Sequence, residues 1–408
     1  MTGWLPGERA PTAGLPPHLA DLFGLGRGDD GLQQSICRLT GAAEALLLSS
    51  GTACLFTVFE HLRRGSDRRT VIVPAYTCPL VVMAARQAGL KVIACDVSPT
   101  RFDLDLDQLA RLIDRDTLCV VPTHYGGWLT DVAAVRNSIA ARDGAVAIVE
   151  DAAQAFGASW DGRSVGLAGD VGMFSFAAGK GLTLFEGGAL VAADGGQIEA
   201  LRGTSRPLIR PAPLIEAQMS TLLAGYHLLY NRIGIQLVYG APKRSSLARG
   251  DDISAAGDRF AGPIRVHSVG GWRRGVASRA LPRLPAHLVA VRASFDRLAG
   301  ALAARCPGLD VHVPAAPARP SATFLFATLP AAPATAGIID RLWRSRLGIA
   351  KQFTRAIGDY PYLAGDLLPS PTPNARDLAA RTVTISTSAD LGERDIETIV
   401  QAIREGSA

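Results

Sequence analysis

What most constrains this chain is the alternation, through its first two thirds, of short apolar runs rich in β-branched residues with longer runs of helical character. TVIVPAY (70–76) is followed by PLVVMAARQAGL (79–90) and then by KVIACDVS (91–98). Strand, helix and strand in that order make a βαβ unit. Further strands are expected in LCVVPTH (118–124), AVAIVEDAA (145–153), GMFSF (172–176) and GALVAAD (188–194). These runs are apolar throughout instead of alternating with polar residues, so both faces of each strand should be covered. That is the mark of a largely parallel sheet with helices on each side.

A chain of 408 residues, 48% of them hydrophobic, is long enough for two domains. The rhythm breaks at about residue 205 into a Pro/Arg-containing segment, an apolar stretch and a Gly/Arg-rich region that ends near 275. An amphipathic helix is expected at about 283–305, followed by the strand ATFLFATL, the helix ATAGIIDRLWRSRLG, the strand RTVTIST and the helix ERDIETIVQAIRE. The division expected is a large domain over 1–280, with an atypical insertion at 205–275, and a small C-terminal α/β domain over 281–408.

The net charge of +5 comes from 42 basic and 37 acidic residues spread along the chain, which argues against a nucleic-acid partner. Six scattered cysteines with no CxxC spacing read as reduced thiols of a cytoplasmic protein, and no metal site is expected. The N-terminal MTGWLPGERAPTAGLPP lacks the basic start and apolar core of an export signal. The apolar stretch at 219–242 is interrupted by His227, Asn231 and Arg232, so it is not expected to span a membrane.

Ligands of a parallel α/β sheet bind beyond the carboxyl ends of its strands, so the residues that follow each strand are the ones to inspect. After ALLL comes SSGTACL, which sets Ser50, Gly51 and Thr52 at a helix start suited to a phosphate; a plain N-cap fits the same residues. After VAIVE come Asp151 and, three residues on, Gln154. Asp151 suits a cationic ring nitrogen, a metal or a ribose, or simply caps a helix. Its neighbour Glu150 should point to the opposite face. Ser175 ends the GMFSF strand, and Lys180 follows in a loop of glycine and alanine. A lone lysine ordinarily turns to water, yet burial here would depress its pKa towards a usable amine nucleophile, which condenses with an aldehyde to a Schiff base. His124 ends another strand and either faces the site or serves the structure.

The motifs SSGTA, VPAYT, VEDAAQAFGA, GDVGMFSFAAGKGLTLFEGG and PNARDLAARTVTISTSADLGERDIETIVQAI, in this order, resemble the DegT/StrS-type sugar aminotransferases. The resemblance is good over about 30–200 and looser over 280–405. It implies an α/β protein of aspartate-aminotransferase type (fold type I), with a mostly parallel seven-stranded sheet in the large domain. It further implies pyridoxal 5′-phosphate as cofactor and a homodimer. The expected reaction takes an amino group from glutamate or glutamine to a keto-sugar, expected to be nucleotide-linked, or to a related polyol-like carbonyl. Residue by residue, Lys180 would be the covalent anchor and proton carrier, and Asp151 the partner of the pyridine nitrogen. Gln154 would bond the ring's 3′-oxygen, while Ser175, Ser50, Gly51 and Thr52 would hold the phosphate.

Three departures from the family pattern are visible. Cys78 stands where the family has an aromatic residue stacked on the cofactor ring, with Tyr76 a candidate substitute near the substrate. Phe185 replaces the glycine before Glu186, and with His124 it is a candidate pocket residue. The family's Asn-Tyr-Arg-Met-like motif, which completes the phosphate site from a second subunit, is absent; GGWRRGVASRAL stands in its place, with Arg273 or Arg274 as the expected donor. The 219–242 stretch is an addition to the plan, read as packing or dimerisation ahead of membrane or lipid-linked substrate contact. Within this family sugar dehydratases replace the lysine, so Lys180 argues for amino transfer; the alternatives are an enzyme of the same family acting on a non-sugar or lipid-linked substrate, and a cofactor-binding regulator without turnover.

Overall fold

The computed structural model describes residues 7–23 and 31–407, so the first six residues of the N-terminal segment lie outside it. Seven strands of the main sheet lie in the first half of the chain: β1 (Glu44–Leu48), β2 (Thr70–Pro74), β3 (Lys91–Cys95), β4 (Thr117–Val120), β5 (Ala147–Asp151), β6 (Val171–Ser175) and β7 (Gly188–Ala192). They form one sheet in the order β1-β7-β6-β5-β4-β2-β3. From β6 to β3 every neighbour is parallel, while β7 runs antiparallel to both β6 and β1. The sheet has eight strands instead of the seven expected, because the two residues Leu367–Leu368 return from the C-terminal region to pair with β3. A two-residue strand carries no readable period.

The continuously apolar strands are covered on both faces. Val71 and Val73 of β2 pack among the side chains of the Gly51–Arg64 and Pro79–Gln87 helices, whereas Ile72 between them packs with Leu104, Val132 and Ile139. Alternate residues of one strand thus enter two different cores. The same alternation decides the site. On β5, Val149 belongs to the first core and Ile148 to the other; on β6, Val171 and Met173 belong to the first and Phe174 to another. Asp151 and Ser175 therefore project towards the Gly51–Arg64 helix, and Glu150 points away.

The long helix Leu284–Arg305 sits where the apolar spacing places it. Beyond it, a second sheet of four strands runs in the order Asp310–His312, Phe324–Thr328, Thr382–Ser386, Ile349–Ala350, entirely antiparallel.

The atypical region is helical over residues 213–248. Pro213–Leu229 is followed by Arg232–Ile235, a single π turn over Gln236–Gly240, and Ala241–Ala248. Among the described residues no helix is long and apolar enough to cross a membrane. The region is fastened to the N-terminal segment through a carboxylate with no exposure: Glu8 accepts from Lys243 Nζ at 2.7 Å and from Arg244 at 2.6 Å. Lys243 is itself buried. Removing one member of a buried pair leaves the other charge uncompensated, at a cost of about 3–5 kcal/mol. Glu8→Ala is expected to lower stability by about that amount, read as a lower urea midpoint at unchanged slope.

Candidate active site

The Gly51–Arg64 helix starts where β1 ends. Ser50 caps it, its hydroxyl accepting from the Ala53 N–H at 3.0 Å. The N-cap reading of Ser50 is therefore correct at the level of its side chain, and the backbone N–H groups of the first turn still face the strand ends. Gly51 packs against β6: a Cβ there would lie 3.0 Å from Ser175 Cβ and 3.3 Å from its hydroxyl. Helix start and Ser175 hydroxyl thus form one cradle, with the polarity that favours an anion. A larger residue there would force Ser175 and Met173 to give way by a few tenths of an ångström.

Asp151 is buried at the end of β5, its Oδ1 accepting from the Ala153 N–H at 3.0 Å. Burial raises its pKa, and that bond and the Lys180 ammonium oppose the rise. Lys180 shows the complementary effect: burial lowers its pKa, while Cys78, Asp151 and Asp258 hold it up. Asp151 and Lys180 therefore act on each other in one weakly solvated space. Gln154 lines the same cavity as Lys180, and its Oε1 is buried without a hydrogen bond from any described residue. Such an orphaned acceptor suits a ligand donor.

The cavity holds about 680 Å³. Lys180 and Gln154 lie in its wall with Phe185, and the atypical region adds Leu222, Tyr226 and Val238. The N-terminal segment closes over the lysine loop, where Thr12 donates to the Gly179 carbonyl at 2.6 Å and the Leu15 N–H to Gly181 at 3.0 Å.

Phe185 has φ = 64°, in the left-handed region. The glycine that the family pattern places here adopts that conformation freely, whereas a phenylalanine is strained by about 1–2 kcal/mol. The loop holds it there: the Phe185 N–H donates to Thr183 Oγ1 at 2.9 Å, and its carbonyl accepts from Ala178 at 3.0 Å. Its ring meets Tyr226 edge to face at 6.4 Å.

Three expected site residues stand elsewhere. His124 is fully buried, its Nε2 2.9 Å from Glu150 Oε2, and it is absent from the cavity wall. Burial alone would raise the Glu150 pKa, but the bonds from His124 and from the Gly169 and Gly166 N–H groups outweigh it and hold the carboxyl below its usual value. The pair braces the face of the sheet that points away from the cavity. Tyr76 is sealed among Phe102, Tyr125 and Phe353, with ring centroids 5.8, 6.3 and 5.2 Å away, so it does not reach the pocket.

Arg273 is fully buried within its own chain. Its Nε donates to Glu216 at 2.8 Å and its second nitrogen pairs with the same carboxylate; the third donates to the Leu184 carbonyl at 3.0 Å and to that of Glu186. It therefore braces the lysine loop and is not free to reach a second subunit. Arg274 follows on the same helix, half-buried.

Cys78 caps the Pro79–Gln87 helix within electrostatic reach of Lys180 and Asp151, and burial followed by the charge of Asp258 pushes its thiol up to about 12. A thiol in that state is neutral and unreactive.

No motif in the sequence singled out Asp258, which follows Asp251 and Asp252 in the atypical region. Tyr360 donates to its Oδ2 at 2.6 Å, and the Tyr362 hydroxyl donates to its main-chain carbonyl. It acts on both Lys180 and Cys78.

Residues 20–211 match the model of the DegT/DnrJ/EryC1/StrS aminotransferase family. A stretch of 155 residues is 36% identical to 3-amino-5-hydroxybenzoate synthase of Amycolatopsis mediterranei (strain S699), covering 38% of this chain and 39% of that enzyme. The match thus spans about two fifths of the curated relative's length. The fold agrees over far more of the chain. PseC of Helicobacter pylori, an aminotransferase involved in pseudoaminic acid biosynthesis, superposes with a TM-score of 0.75 over 97% of this chain and 98% of its own at 14% identity. Spr1654 of Streptococcus pneumoniae, solved in PMP and PLP forms, gives TM-scores of 0.74 and 0.72 at 16% identity over 99% of this chain and 99% and 98% of its own. The expected α/β fold is therefore the fold of these aminotransferase structures, and the segment that matches the family model contains Ser50, Asp151, Gln154, Ser175 and Lys180.

Burial raises the Asp258 pKa from 3.8 to about 6, with the Tyr360 bond opposing the rise. The folded state thus holds a proton that the unfolded chain has released. The stability this group contributes is complete below about pH 4 and is lost as pH rises through about 6, a change on the order of 2–3 kcal/mol. Asp258→Asn removes that titration, so the melting temperature of the variant relative to the wild type should rise between pH 4.5 and 7, measured by scanning calorimetry.

Proposed function

We propose that this protein is a pyridoxal-phosphate-dependent aminotransferase that moves an amino group, from glutamate or glutamine, to a carbonyl on a sugar-like or polyol-like acceptor. The observation that carries this reading is the mutual action of Lys180 and Asp151 beside an anion cradle built from a helix start and Ser175.

The residues fit the cofactor. The first-turn N–H groups at Gly51 and Thr52, with the Ser175 hydroxyl, suit its phosphate. Buried Asp151, on which the Lys180 ammonium acts, suits a protonated ring nitrogen, and the orphaned Gln154 Oε1 suits a ring hydroxyl. Bound there, the group supplies an aldehyde for covalent attachment and an electron-withdrawing ring.

The chain's own residues do the rest. Lys180 supplies the attaching amine, and its lowered pKa raises the neutral fraction able to attack. Once released, the same amine takes a proton from the carbon that bears the amino group and can return it to the acceptor's carbon. Asp151, kept anionic by a cationic partner, holds positive charge at the ring nitrogen. Thr12 and Leu15 keep the lysine loop closed and limit water at the reacting carbon. A homodimer belongs to this reading; with Arg273 committed inside its own chain, any contact between subunits at the phosphate falls to other residues.

Borohydride reduction of the purified protein followed by peptide mapping should leave a pyridoxyl label on Lys180. A label elsewhere, or no bound cofactor, overturns the assignment. Asp151→Ala should weaken cofactor retention at least tenfold in dialysis, since a buried charge pair is broken. The neutral Cys78 and the strained Phe185 favour a second reading, a cofactor-binding regulator without turnover. That reading prevails if Lys180 is labelled yet no amino donor changes the bound cofactor's absorbance.

A further inference from the structure

The cavity above Lys180 has a wall of unusual character for a family that works on sugars. Among the described residues that line it, Lys180 is the one charged side chain. Residues 221–239 of the atypical region supply most of the far side, with Leu222, Leu229, Ile235 and Val238 between three tyrosines. Tyr226 and Tyr230 lie ring against ring with centroids 5.0 Å apart, and burial raises the pKa of both hydroxyls, so they are neutral. Phe185 adds a ring where a glycine would leave room, in a strained conformation that the loop sustains.

A nucleoside diphosphate needs cations or oriented N–H groups at its phosphates. Three of the cations that flank this wall are already engaged. Arg9 pairs with Asp390 and Asp395, each at 2.9 Å, and Lys243 and Arg244 pair with Glu8 at 2.7 and 2.6 Å. Lys351 neighbours the wall residue Gln352 but does not line the cavity. The apolar lining instead runs out to the surface, where Leu222, Leu229 and Val238 are 37%, 40% and 58% exposed.

We infer that the carbonyl compound aminated here carries an uncharged, largely hydrocarbon or aromatic body that lies along the 221–239 wall, and is not a nucleoside-diphosphate sugar. This rests on the aminotransferase reading and replaces its sugar-like or polyol-like acceptor with an apolar one. The net reaction balances without an oxidant: the acceptor's C=O becomes CH–NH2, the donor's CH–NH2 becomes C=O, and the two carbonyl oxygens and the nitrogen simply exchange places through water.

Two measurements on the holoenzyme test it. In the reverse direction, a ladder of primary amines from propyl to decyl should consume the pyridoxal-form absorbance with a rate constant that climbs about three- to fourfold per added methylene until the wall is filled. Val238→Asp and Leu222→Asp, at solvent-exposed positions where folding is not at stake, should flatten the ladder. Independently of turnover, the uncharged dye Nile red should bind saturably at one site per chain and be displaced by 2-decanone but not by uridine diphosphate.

A flat ladder, a uridine-diphosphate-linked amino sugar that outpaces decylamine at equal concentration, or displacement of the dye by uridine diphosphate overturns the inference. So does exclusion of the dye at concentrations where the chain is dimeric, which would mean that a second copy covers the wall. Borohydride labelling of the same preparation separates the two levels: with Lys180 labelled, these failures sink the acceptor class alone, and with Lys180 unlabelled the cofactor reading falls as well.

Discussion

The site depends on holding an ammonium and a carboxylate together where water is scarce. Burial drives the Lys180 pKa down and the Asp151 pKa up, and each charge limits the other's shift. Neither residue would keep its charge alone in such surroundings. The fold around them serves to aim the two from different strand ends into one space: Asp151 from the last position of β5, Lys180 from the loop after β6.

That loop is held from several sides. Arg273 grips its carbonyls at Leu184 and Glu186 from below, and the N-terminal segment bonds Gly179 and Gly181 from above. The segment is tied in turn to the atypical helices through Glu8 and to the C-terminal region through Arg9 and Asp390. A residue as far in sequence as Asp258 bears on Lys180 while bonded to Tyr360, so the C-terminal region and the insertion both set the electrostatics of the lysine. The strain at Phe185 is sustained by these restraints.

The contrast between Asp151 and His124 shows what could be read in advance. Asp151 stands at the end of a continuously apolar strand, where successive side chains still point to opposite faces, so its face relative to Glu150 followed from counting residues. His124 lies four residues past the end of β4, where no period applies, and its partner Glu150 lies 26 positions away. Arg273 failed for a related reason. A basic turn beside a family motif reads as exposed, and only packing revealed that Glu216 and two carbonyls occupy all three nitrogens. Asp258 carried no motif at all, and the eighth strand is two residues long.

The sequence by itself determined the doubly covered, mostly parallel sheet and the residues its strand ends present, because burial of apolar runs and the two-residue period of a strand are local properties. It also determined, through the order of its motifs, which lysine and which aspartate would meet. Only the tertiary structure decided the character of the cavity above them. The helices of residues 213–248 show little in sequence beyond their apolarity, and whether an apolar helix packs inward, faces solvent or walls a pocket depends on what folds against it. Here the far-off Glu8 fixes these helices over Lys180.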